Sequence, residues 1–103
     1  MDLKEVNAKS HELREKYHEL ERKYHGSEWT IEEDALAFLT DAGIIGRLTM
    51  SSEKRWSSDD EEQLPQKIGE CVWWLATLSD RMGFDFESCV SLFLEEKMDE
   101  LKI

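Results

Sequence analysis

No run of about 18 apolar residues occurs in the 103-residue sequence, so a membrane-spanning helix is not expected. The opening stretch MDLKEVNAKS is polar and lacks the apolar centre of a secretion signal, which points to a cytoplasmic protein. Positive charge is scarce: 13 lysines and arginines stand against 24 aspartates and glutamates, a net charge of −11, and the cations are scattered without forming a stripe. A surface of this kind repels a phosphate backbone, which excludes nucleic acid as a partner. A small nucleotide would need local cations or a divalent ion to offset the field. Only two cysteines are present, Cys71 and Cys89, in apolar helical runs and without C-x-x-C spacing. They read as small buried hydrophobes rather than zinc ligands or a redox pair. No stretch alternates apolar and polar residues as a half-buried strand does, and the single proline, Pro65, leaves long segments free to be helical.

Apolar residues make up 40% of the chain and include four Trp and four Phe, so the high content of charge does not imply disorder. The length suits one all-α domain over residues 1–103. From 2 to 25 the residues Leu3, Val6, Ser10, Leu13, Tyr17, Leu20 and Tyr24 recur at alternating spacings of three and four, the seam of a heptad helix. His11, His18 and His25 recur every seven residues beside it, about 10 Å apart, which is too far for one metal and fits a solvated flank. Thr30 with Glu33 predicts a capping box opening a second helix over 30–50. Ser58 with Glu61 can start a helical turn ahead of Pro65. A third helix is expected over 65–82, stopped by Gly83. A fourth follows over 86–101, capped by Asp85, with Phe86, Val90, Phe93, Leu94 and Leu101 turned inward.

Within the third helix, CVWWLATL is apolar around its whole circumference over 71–76 and so must be covered on every side. Four helices of one short chain hardly enclose it. A second copy packed against Trp73 or Trp74 is the expectation, giving a homodimer or a dimer of dimers through the second and third helices. Gly43 and Gly46 lie inside the second helix without the G-K-[ST] ending of a phosphate loop and suggest close helix packing.

The most informative position is Asp41, placed between Phe38 and Ile45 on the apolar face of IEEDALAFLTDAGIIGRL. An ionised carboxylate there needs a metal ion, a cation such as Lys67 or Arg47, or exposure at a rim. Carboxylates three residues apart on two facing helices can hold Mg²⁺, which neutralises phosphate charge and orients water. The chain supplies part of that pattern: DAGI carries Asp41 and Ile44, and KIGE carries Lys67 and Glu70.

The order LTDAGIIGRL, a loop, then QKIGECVWWLATLSDRMGFDFESC resembles the MazG-like all-α nucleoside triphosphate pyrophosphohydrolases. In that family an E-x-x-E on one helix faces an E-x-x-D on the next, and together they bind Mg²⁺. Gly43 falls on a family glycine, and Asp80, Gly83, Asp85 and Glu87 follow the second block. The resemblance spans about residues 29–101 and implies a four-helix MazG-like bundle assembling as a homo-oligomer. It also implies Mg²⁺ as cofactor, with Asp41 and Glu70 as the metal ligands that remain. Ile44 and Lys67 occupy the two positions where acids are lost, and Asp34 lies two turns from Asp41, about 10 Å, too far to replace them. Two functions follow as expectations. One is hydrolysis of a nucleoside triphosphate to monophosphate and pyrophosphate, weakened or abolished by the lost acids. The other is a non-catalytic oligomeric binding or interaction module on the same fold. The pattern assigns no catalytic base and no nucleotide-binding residue.

Overall fold

The computed structural model describes residues 1–56 and 60–103, and the described residues are helical with no strand. Four α-helices follow one another: α1 (Leu3–His25), α2 (Ile31–Ser52), α3 (Leu64–Arg81) and α4 (Phe86–Leu101), with a short 3₁₀ turn at Glu61–Gln63. Ser58, expected to start that turn, lies outside the described residues. The chain sorts into two compact units, Met1–Glu28 with Ala76–Ile103, and Trp29–Leu75.

In the first unit, Asp2 caps α1 by accepting the Glu5 N–H at 2.8 Å. Gly26 ends the helix at φ 81°, a left-handed position that a side chain resists. Arg22, Lys23 and His25 fill the last turn, where the helix dipole favours positive charge. Gly83, at φ 82°, closes α3 in the same way. Two residues on, the Asp85 carboxylate accepts the Ser88 N–H at 2.9 Å and starts α4. α4 packs against α1, and His11 of α1 pairs with Asp80 at the end of α3, 2.7 Å apart.

The predicted seam of α1 turns inward only over its first half, where Leu3 and Val6 are half-buried and Ser10 is buried; beyond it the buried positions are Arg14 and His18, whereas Leu13, Tyr17, Leu20 and Tyr24 are exposed. Arg14 reaches along its own helix to Glu21 at 2.7 Å, which supplies the counter-charge that a buried guanidinium needs. His18, expected on a solvated flank, is buried with Nδ1 3.7 Å from carboxylates of both Glu15 and Glu28. On α4, Phe86 is buried and Val90 half-buried as expected, but Phe93, Leu94 and Leu101 face outward, and Cys89 is exposed rather than buried.

In the second unit, Thr30 and Glu33 exchange both bonds of a capping box, at 3.0 and 3.2 Å. The 3₁₀ turn packs against α2, where Ser51 Oγ donates to Glu61 at 2.6 Å. Pro65 occupies the first turn of α3, where its missing N–H costs no helical bond. Trp74 is buried and Trp73 half-buried, their rings 4.5 Å apart, so neither is the open face expected of α3. Ile68, Val72 and Leu75 are exposed instead, spaced as one helix face. A Cβ added at Gly43 or Gly46 would meet nothing within 4 Å, so close packing within the chain does not account for either glycine.

Candidate functional site

The site grows from the face that Lys67, Glu70, Cys71 and Trp74 share on α3, since spacings of three, four and seven return to the same side of a helix. Asp41 of α2 meets that face while 8% exposed. Its two oxygens are divided between two donors: the Trp74 indole N–H donates to Oδ2 at 2.8 Å and the Lys67 ammonium donates to Oδ1 at 3.2 Å. The same ammonium donates to Glu70 Oε1 at 3.0 Å. Lys67 therefore bridges the two carboxylates that the family resemblance assigns to metal. This is the cation that the position of Asp41 requires. Arg47, the other cation considered for it, lies over the Trp56 ring, 4.7 Å from its centroid.

The electrostatics follow from this geometry. The hydrogen bond to Glu70, then that to Asp41, raises the Lys67 pKa above the ordinary lysine value, and the two negative charges add to the effect. Cys71, beside them, is pushed up as well, first by burial and then by the charges of Asp41 and Glu70. The amine is thus held as an ammonium and the thiol as a thiol, so neither is in its nucleophilic form at neutral pH. Both oxygens of Asp41 are already accepting, which leaves it poorly placed to take a proton from water.

The donor set does not fit a Mg²⁺ ion. Ile44, half-buried, has no ligand atom, and Lys67, at the position where the resemblance implies the third acid, directs a positive charge to the point where the two remaining carboxylates converge. A divalent ion would have to expel that ammonium before either carboxylate could reach it. Among the described residues no group of three or more His, Cys, Asp or Glu side chains comes together as a metal cluster. Asp34 is fully buried on α2.

An open groove of about 280 Å³ lies at the start of α2, lined by Trp29, Glu33, Leu36, Ala37 and Thr40. None of these side chains is cationic, and Glu33 is engaged in the capping box, so the groove offers no positive charge to a phosphate. Sequence reasoning found Asp41, Lys67 and Glu70 but overlooked Trp74 as a partner of Asp41. The signal was present, since Trp74 stands two turns after Lys67 on the same face. Comparison of the chain with protein-family models, with curated proteins and with solved structures finds no match.

Proposed function

We propose that the chain is a MazG-like helical protein in which a tethered ammonium has taken the place of the divalent ion, and that it acts as a homo-oligomeric interaction module with pyrophosphohydrolase activity weak or absent. The observation that carries this reading is the Lys67 bridge, with Nζ 3.2 Å from Asp41 and 3.0 Å from Glu70. A single fixed positive charge satisfies two carboxylates. It offers no open coordination position, though, and so cannot gather phosphate oxygens and water as Mg²⁺ does. Self-association through α2 and α3 is supported by the exposure of Leu36, Leu39, Ile68, Val72 and Leu75, an apolar surface that water disfavours.

The test is a pyrophosphate-release assay over a panel of nucleoside triphosphates with Mg²⁺ or Mn²⁺, run beside sedimentation of the purified protein. No release above background, together with a dimer or larger species, is the expected result. Brisk metal-dependent release that disappears in Glu70→Gln would show that the carboxylates work despite the lysine.

A further inference from the structure

One side of α2 is buried and the opposite side is open. Asp34, Asp41 and Leu48, seven residues apart in turn, lie on the buried side. Opposite them Leu36, Leu39, Gly43, Gly46 and Met50 recur at alternating spacings of three and four, the seam by which one helix packs along another. All five are exposed, Leu36, Leu39 and Met50 by 63%, 66% and 42%. A glycine inside a helix loses more backbone freedom on folding than any other residue and packs nothing in return. Since a Cβ added at Gly43 or Gly46 meets nothing within 4 Å, the chain's own packing requires neither.

This open seam changes character along its length. Its first half carries the large side chains Leu36 and Leu39, preceded by Glu32 and Glu33 in the first turn. Its second half carries Gly43 and Gly46, followed by Arg47, the only exposed charge on α2 between Glu33 and the end of the helix. Just past that end, Glu53, Lys54 and Arg55 leave the local balance positive. Among the described residues Arg47 meets no carboxylate, and its guanidinium lies over the Trp56 ring. A second copy of the helix running in the opposite direction is complementary to this seam in both size and charge. A two-fold axis crossing α2 between Leu39 and Gly43 sets Leu39 against the partner's Gly43 and Leu36 against the partner's Gly46, large side chain into bare backbone. Glu33 and Arg47 stand on one flank of the seam about four turns apart, so the same axis brings each beside its opposite on the partner. A parallel pair stacks leucine on leucine, leaves a void between glycines and sets like charges together, which copies carrying a net charge of −11 can ill offset.

We propose that this face of α2 is covered by the same face of a second copy, antiparallel, in an isologous pair. The pairing rests on the reading of the chain as a homo-oligomer and adds the face and the direction of the contact. It uses the side of α2 opposite Asp41, so the Lys67 bridge is left untouched.

Two measurements test it. In a Cys89→Ser background, in which Cys71 stays buried, a population carrying Leu36→Cys is mixed with one carrying Gly46→Cys and oxidised. A disulfide between the two populations is expected, and none joining Leu36→Cys chains to each other. In the second, Gly43→Leu with Gly46→Leu should associate at least tenfold more weakly than the parent in sedimentation, with helical content by circular dichroism retained. If the parent associates but the mixed populations do not cross-link, or Leu36→Cys links to itself, the antiparallel pair is overturned. Association unchanged or strengthened by the added leucines overturns it equally. Those results leave the homo-oligomer standing, whereas a parent that sediments as a strict monomer removes both.

Discussion

Replacing Lys67 by methionine removes the ammonium while keeping most of the apolar stem, so the change isolates the bridge. Two interactions are lost. The bond to Glu70 lies within one helix at spacing i, i+3, with the carboxylate side chain 35% exposed, and contributes about 0.2–0.5 kcal/mol. The bond to Asp41 joins two helices at a carboxylate only 12% exposed, in the range of hydrogen bonds to charged groups, about 1.5–3 kcal/mol. Without it, Asp41 retains the Trp74 indole as donor but has no counter-charge. The expected destabilisation is therefore about 2–3 kcal/mol, short of the roughly 3–5 kcal/mol for breaking a fully buried pair, because Lys67 is itself 22% exposed and water can enter. For a chain of this length that corresponds to a fall in Tm of roughly 10–20 °C. Urea and thermal unfolding of Lys67→Met, Asp41→Asn and the double variant give the coupling directly. The double variant should be more stable than the two single losses predict, since neutralising Asp41 removes the charge that the ammonium serves. A Lys67→Met protein within about 0.5 kcal/mol of the parent, with no coupling to Asp41, would refute the reasoning and leave Lys67 as an ordinary surface charge.

Ile44→Glu with Lys67→Glu restores the four-acid pattern of the resemblance. The unfolding midpoint of that variant should rise with Mg²⁺, by about 2.7 kcal/mol of stability at a hundredfold excess over Kd, while the parent's stays fixed. Trp74→Phe keeps an aromatic ring of smaller size but deletes the buried donor to Asp41 Oδ2 and should cost about 1–3 kcal/mol in urea unfolding. His11 is raised above 6.5 chiefly by its hydrogen bond to Asp80, with the charges of Asp80 and Glu15 adding and burial opposing. A raised histidine pKa stabilises the fold fully below pH 6.5 and loses that contribution as pH climbs through the raised value. Both groups are exposed, so the effect on stability is expected to stay under about 1 kcal/mol, and the sharper readout is the NMR titration of the His11 ring. Its midpoint should fall toward 6.5 in Asp80→Asn.

How far the sequence reveals the molecule depends on whether the governing interaction is local. Thr30 with Glu33, Asp85 and the glycines at 26 and 83 act within a few residues of themselves, and each marks a helix end where the structure has one. The site is legible for a related reason: Asp41 on an apolar face demands a cation, and the resemblance placed Lys67 and Glu70 opposite it. Trp74 was misread because an apolar run around a helix says that every side is covered without saying by what. Its indole turned inward to a carboxylate, and Val72 and Leu75 were left on the open side. Cys89 and the outer half of α4 failed likewise, since periodicity locates an apolar stripe but not its partner.

α1 is where these two kinds of information part most clearly. Its heptad seam is the most regular apolar pattern in the sequence, yet after Ser10 the chain buries Arg14 and His18 and turns Leu13, Tyr17, Leu20 and Tyr24 outward. A buried arginine is tolerated only with its charge met, and Glu21, seven residues along the same helix, meets it. Burying that polar stripe within the chain fixes the rotation of the helix and with it the direction of the seam. A regular apolar stripe held outward by a paired internal charge has the features of an interface, since water opposes its exposure. The heptad pattern locates a packing stripe without naming what covers it, because periodicity carries the direction of a face and not the identity of its partner.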